Sequence, residues 1–243
     1  ILLEKFEQAF AFSKSVRLED EFFFETDLLL GLESFVKKDY LNAEKYFVRL
    51  NKIYRYNLIF EDFLGNILLS WVKASRNNKN DSFEFFNKIP ERYYNLKQIQ
   101  NSLLQCYFDT PETQIAFEKL IGSEDSNFSR YNFFYASYLL FKNKNIEAEK
   151  VINFSRKTHK SNLLIKQAEN FILTGNSKKI KKLFNCKNPI DVIAEIFYII
   201  ANLHATEKNY QLSNFYLKIS LFLNSKFTPN KTLLAENFLS TKI

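Results

Sequence analysis

Apolar and polar residues follow a helical period along most of the chain, most clearly from Ile196 to Pro229. Apolar side chains first recur every three or four residues, at Ile196, Ile199, Ile200 and Leu203. A polar break at residues 206–209 precedes a second apolar series, and Pro229 closes the unit. This pattern predicts two amphipathic helices, packed antiparallel, within about 34 residues.

The same spacing of apolar residues predicts paired helices along the whole chain. They are expected at residues 22–36, 40–54, 60–74, 81–89, 94–108, 111–121, 129–142, 146–157, 163–173, 177–184, 189–206 and 210–223, with partial helices at 1–15 and 231–243. Asp81 or Ser82 is predicted to cap its helix after a long polar turn at 75–81. Thr110 is the predicted N-cap before Pro111, with Gly122 following the last turn.

A small residue recurs near the middle of each predicted first helix. The set is Gly31, Gly65, Ser102, Ala136, Ala168, Ala201 and Ala235, at intervals of 34, 37, 34, 32, 33 and 34 residues. Helices approach closely only where the contact side chains are small. We therefore expect each small residue to face the second helix of its own pair.

These features resemble the tetratricopeptide repeat (TPR) family over nearly all of the chain. Leu-Gly pairs occur at residues 30–31 and 64–65, Ala-Glu-Lys at 43–45 and 148–150, and a Leu-x-x-x-Phe-x-Pro exit, as in bacterial multi-TPR proteins, at 223–229. The resemblance implies an all-α, right-handed superhelical solenoid of antiparallel helix pairs. It would form a single domain over 1–243, with about six full repeats and partial repeats at both ends. Bacterial cytoplasm and periplasm are both open as locations.

Composition adds three expectations. Only four glycines and four prolines disfavour a turn-rich β fold. Because the chain begins with Ile1 and contains no Met, we expect it to be part of a longer protein. No apolar run approaches the roughly 20 residues of a membrane helix, so no transmembrane segment is predicted.

The net charge of +7 favours anionic partners in principle. The longest basic segment, residues 178–182, is interrupted by Ile180, which helical spacing turns inward. We attribute the charge to a Lys-rich and Asn-rich composition, and nucleic acid is not the expected partner.

Residues for catalysis are sparse. Cys106 and Cys186 stand eighty residues apart and are expected as buried free thiols. His204 is expected as a packed helix residue, and His159 lies in a polar turn. The sequence has no zinc-protease, phosphate-loop or nucleophile-elbow motif, so we predict no enzyme activity, metal or cofactor.

The resemblance also implies a binding groove lined by the first helices. In the family, exposed positions lie six and three residues before the small residue and one, four and five after it. The groove residues singled out on this basis are Asp62, Asn66, Arg130, Phe133, Ser137, Tyr198 and Asn202. This mixture of aromatic and amide groups suits a peptide.

The sequence is thus interpreted as a non-enzymatic scaffold that binds a protein or peptide partner. Two alternatives remain open. One is a superhelical arm of a larger enzyme such as a glycosyltransferase, and the other is a protein that binds RNA or an anionic surface.

Overall fold

The computed structural model describes residues 5–16, 23–53, 63–122 and 128–240. All regular secondary structure in these ranges is helical, without a β-strand, which confirms the prediction of an all-α protein. The chain divides into two compact units, residues 1–97 and 98–243, each described by itself below. A single domain over 1–243 stays a prediction.

The described residues of unit 1 form five complete α-helices and a short 3-10 helix. They are α1 (Phe6–Val16), α2 (Phe24–Val36), α3 (Tyr40–Ile53), α4 (Leu64–Ser75), α5 (Lys79–Asn87) and the 3-10 helix Glu91–Tyr93. Helix α2 packs against α3, and α4 packs against both α3 and α5. The core is formed by the apolar faces of α2, α3 and α4, with Trp71 and Phe47 fully buried.

The division between the units falls within α6 (Tyr94–Phe108). Unit 2 continues with α7 (Thr113–Gly122), α8 (Ser129–Phe141), α9 (Asn145–Thr158), α10 (Leu163–Leu173), α11 (Lys178–Leu183), α12 (Pro189–Thr206), α13 (Tyr210–Leu223) and α14 (Pro229–Ser240). Adjacent helices pack in pairs, chiefly α8 with α9 and α12 with α13.

Six helices end in the same turn. Each has one residue in the left-handed conformation one position (Asp109) or two positions after its end: Lys38, Asn77, Asp109, Asn143, Gly175 and Lys208. In each turn this residue donates its N–H to the carbonyl three positions back, and the next residue donates to the carbonyl five positions back. This is the Schellman motif, and its intervals of 39, 32, 34, 32 and 33 residues mark a structural repeat.

The turns fix the register of the repeats and correct one prediction. Five of the six turns lie seven residues after a predicted small residue, but Asn77 lies twelve residues after Gly65. The residue seven positions before Asn77 is Ser70, which is buried and donates to the carbonyl of Ser82 on α5 at 2.8 Å. Ser70 is therefore the equivalent small residue, and the assignment of Gly65 was wrong by five positions.

Gly65 instead permits a contact between α4 and the helix that precedes it. A Cβ atom built on Gly65 would lie 1.7 Å from Oδ1 of Asn51 on α3. Gly31 does face its own partner helix, because its Cβ would lie 2.3 Å from the Phe47 ring on α3. Thus the two Leu-Gly pairs occupy different positions in their repeats.

Two helix starts also differ from the prediction. Helix α5 is capped by Asn78, whose side chain accepts from the Asp81 N–H at 3.1 Å, so neither Asp81 nor Ser82 is the N-cap. The preceding turn is as short as the others. Helix α7 begins at Thr113 rather than Pro111, because Thr113 donates its N–H to the Thr110 carbonyl in a turn.

The cysteines are a further correction. Cys106 of α6 and Cys186, between α11 and α12, form a disulfide with their Cα atoms 6.0 Å apart, so neither is a free thiol. Sequence spacing could not show this pairing, because it depends on how helices distant in the chain pack.

Within the described ranges, no helix combines the length and apolar character required to cross a bilayer.

Candidate functional site

The predicted groove residues lie in different environments. Asp62 is outside the described residues. Asn66 is buried in unit 1, with its Oδ1 3.4 Å from Nδ2 of Asn51. Both positions were derived from Gly65, so the corrected register no longer places them at groove positions. Whether either contacts a partner stays a prediction.

Helix α8 carries three of the predicted residues, and all three are buried. Phe133 has no exposed surface, while Arg130 is 7% and Ser137 5% exposed. The Ser137 hydroxyl donates to the Phe184 carbonyl at 3.0 Å. Since these side chains contact their own unit, they cannot meet a partner directly in this arrangement.

Two phenylalanines from distant segments cover this face of α8. Phe184 follows α11 and stacks on Phe134 with ring centroids 3.7 Å apart. Phe227, between α13 and α14, lies 5.8 Å from Phe133 and 5.6 Å from Phe134. The face that the TPR resemblance assigns to a ligand is therefore filled by the chain itself.

A buried ion pair joins α8 to α12. The Arg130 guanidinium makes two hydrogen bonds to the Glu195 carboxylate, one of them from Nε to Oε1 at 3.1 Å. Its Nη2 also lies 3.4 Å from Oδ1 of Asn230 on α14. The guanidinium carbon is 3.4 Å from the Tyr198 ring centroid and 4.5 Å from that of Phe227. The structure thus brings together the predicted residues Arg130 and Tyr198.

Electrostatics keep the arginine of this pair charged. Burial by itself lowers the pKa of Arg130, but the charge of Glu195, its hydrogen bonds and the nearby tyrosines together outweigh burial, so the pKa is raised. Burial raises the pKa of Glu195, and the Arg130 guanidinium opposes this rise. A buried pair with mutual hydrogen bonds holds helices in place. It offers no free nucleophile or proton donor to a substrate.

The other two predicted residues lie along α12. Tyr198 is half-buried against Arg130, whereas Asn202, one turn later, is exposed. The neighbouring Leu203 is 38% exposed. His204, on the same helix, is buried and stacks on Tyr216 of α13, with ring centroids 5.6 Å apart. Among the predicted groove residues that the structure describes, Asn202 alone is exposed to solvent.

A polar cleft that the sequence did not reveal lies at the other end of α12. It has a volume of about 360 Å³ and lies among the end of α11, the start of α12 and the α13–α14 connection. Its lining is Lys181, Lys182, Asn185, Asn188, Ile190, Asp191, Leu223, Asn224, Ser225 and Lys226. The 178–182 segment was visible in the sequence, but its proximity to Lys226 was not.

Asp191 organises the α11–α12 connection within this cleft. Its carboxylate accepts from the Asn185 N–H and from Nδ2 of Asn188, both at 2.9 Å. Burial raises the pKa of Asp191 to about 6. The adjacent disulfide attaches the same connection to α6. The cleft is therefore shaped by contacts that do not involve its lysines.

Comparison of the chain with protein-family models, with curated proteins and with solved structures gives no match in any of the three. Kinship with the TPR family stays a prediction from the residues.

Proposed function

We propose that this chain is a non-enzymatic helical-repeat scaffold of the TPR type, which binds a peptide or protein partner. Its hairpins would stack as a right-handed superhelical solenoid. The observation that carries the proposal is the set of six equivalent turns at intervals of 32–39 residues. Proteins built from repeats of this length commonly use the extended surfaces that stacking creates.

The surface favoured for the partner is the exposed part of α12 around Asn202. An amide side chain can both donate to and accept from a peptide backbone. Tyr198 lies one turn away, and its ring is held in place by Arg130. Tyrosines fixed in this way are frequent binding hot spots. In this arrangement the buried Arg130 supports the Tyr198 ring from beneath.

The test is quantitative affinity capture from the source cell, comparing the wild type with Asn202→Arg. Asn153→Arg on α9 is the matched control, because Asn153 is also an exposed helical asparagine. We expect Asn202→Arg to reduce recovery of a specific partner about tenfold or more, as for a binding hot spot. Asn153→Arg should leave it unchanged.

Tyr198→Phe sharpens the test, because it removes the hydroxyl and keeps the ring on Arg130. A fall in recovery at unchanged helical content would show that binding needs the Tyr198 hydroxyl, which also interacts with Arg130. If both α12 variants recover the same proteins as the wild type in the same amounts, the proposed surface is wrong.

A further inference from the structure

We propose that the polar cleft at the start of α12 binds the phosphate group of a small phosphorylated molecule or free phosphate. Lys181, Lys182 and Lys226 line it together with Asn185, Asp191 and Ser225. The site is independent of the proposed peptide-binding surface, so either proposal can fail alone.

The charges in the cleft are unbalanced. In the described ranges its three lysines form no ion pair within 4 Å and no side-chain hydrogen bond, although the charge of Lys226 acts on Asp191. Asp191 is its single carboxylate. Three positive charges against one negative charge leave an excess of about two, which matches a phosphate monoester carrying about −1.5 to −2 at pH 7. A monocarboxylate would neutralise only half of this excess.

Neutral donors are available beside the lysines. Within the described residues, Nδ2 of Asn185 has no hydrogen-bond partner, although its Oδ1 accepts from the Lys187 N–H at 2.9 Å. The hydroxyl of Ser225 is exposed and likewise unpartnered in the described chain. Ammonium, amide and hydroxyl groups are common donors to phosphate oxygens.

The shape of the cleft favours a small molecule over a polymer. A volume of about 360 Å³ is near the lower end of the range of small-molecule pockets. The basic segment does not continue as a stripe, because Ile180 is fully buried between the lysines of α11. A nucleic acid would instead follow an extended basic track.

Asp191 does not prevent anion binding, because its oxygens already accept from Asn185 and Asn188. It fixes the connection that carries Asn185. The disulfide at Cys186 restrains the same connection from its other side. The Asn185 amide is thus held in place before a ligand arrives, which lowers the entropic cost of binding at that donor.

The experiment is calorimetric titration of the intact, oxidised chain with inorganic phosphate and with methyl phosphate, at constant ionic strength. We expect saturable binding of both. Lys181→Gln and Lys226→Gln should each weaken it about tenfold or more, since each removes a charged hydrogen bond. Lys178→Gln is the matched control, because it makes the same charge change on the same helix outside the cleft. It should change affinity less than about twofold.

A second measurement, acetylation of individual lysines with and without phosphate, locates the binding site. Phosphate should protect Lys181, Lys182 and Lys226 from acetylation and leave Lys178 as reactive as before. Lys226→Arg should retain binding, and circular dichroism should show every variant folded. The proposal is overturned if neither phosphate compound saturates the protein, or if Lys178→Gln weakens binding as much as the cleft variants do. It is also overturned if single-stranded RNA binds and phosphate does not compete, because the lysines would then serve a polymer.

Discussion

The α2–α3 hairpin of unit 1 and the α8–α12 region of unit 2 each bury an arginine–carboxylate pair, but by different routes. In the hairpin, Nε of Arg49 lies 3.0 Å from Oδ1 of Asp27, and the two residues are 22 positions apart. In unit 2, Arg130 and Glu195 are 65 positions apart. Both carboxylates are almost completely buried, at 1% for Asp27 and 2% for Glu195.

The difference separates local from long-range determinants of the fold. The Asp27–Arg49 pair joins neighbouring helices connected by one Schellman turn. The Arg130 pair exists only because α12, Phe227 and Asn230 all reach α8. We therefore expect the α2–α3 hairpin to depend on its turn and the α8 region on contacts between distant segments.

Replacing Arg130 should cause the largest loss of stability. Arg130→Met should destabilise unit 2 by about 3–5 kcal/mol, because it leaves the Glu195 carboxylate buried without its partner. Chemical denaturation monitored by far-ultraviolet circular dichroism, which reports the loss of helix, measures this change. Lys142→Met is the control, since Lys142 pairs with Asp109 at a partly exposed site and should cost far less stability.

A double variant shows whether Arg130→Met destabilises the protein because Glu195 loses its ion-pair partner or because packing is lost. Arg130→Met with Glu195→Met should recover most of the stability, as expected when a buried pair is replaced by apolar side chains. If the double variant is no more stable than Arg130→Met alone, the cost comes from packing on Tyr198 and Phe227. The contrast with Asp27–Arg49 would then not rest on charge.

Breaking the disulfide tests the second long-range contact of unit 2. The bond closes a loop of 80 residues. Its reduction should lower the free energy of unfolding by about 2–4 kcal/mol, because the unfolded chain gains freedom. The measurement is urea denaturation with and without reductant. A Cys106→Ser, Cys186→Ser variant should lose the response to reductant, and a wild type that does not respond contradicts a stabilising role.

The local part of the fold could be predicted from the sequence. Apolar spacing located nearly every helix, and the bounds of α6, α10, α12 and α13 agree with the prediction. Helical period also placed Ile180 in the interior. The error at Gly65 arose because a glycine that fits α4 against α3 resembles one that fits a helix against its own partner.

The helix-end turns and the long-range contacts could not be predicted in this way. Five of the six Schellman turns use a residue other than glycine, so the strongest sequence signal for the motif is missing. The cover of Phe184 and Phe227 over α8 and the disulfide both depend on segments that sequence spacing cannot bring together. The buried groove residues and the lysine cleft follow from the same packing.

Replacing the glycines of the two Leu-Gly pairs by alanine should reduce stability by different amounts. Gly31→Ala should destabilise unit 1 by about 1–3 kcal/mol, because the new methyl meets the fully buried Phe47 ring. Gly65→Ala should cost less, since the Asn51 side chain it meets is half-buried and can rotate. Gly122→Ala is the control, with nothing within 4 Å of its Cβ. Thermal melts that rank Gly65→Ala as the most damaging would mean that the Asn51 side chain cannot move aside.

The smallest expected effect comes from substitutions at the left-handed residue of the hairpin turn. They test whether this turn is equivalent in the two units. Lys38 in unit 1 has φ 63° and Lys208 in unit 2 has φ 61°, a conformation that glycine adopts without steric cost. Lys38→Gly and Lys208→Gly should therefore each be more stable than the matched Lys38→Ala and Lys208→Ala by about 1 kcal/mol. The alanine variants remove the same side chain and its charge but keep the strain, so the difference reports backbone conformation alone. Denaturation of the four variants under one set of conditions gives both differences. Equal values would establish that the turn is a local element in both units, whereas a gain at only one of them would mean that the surrounding packing alters the turn.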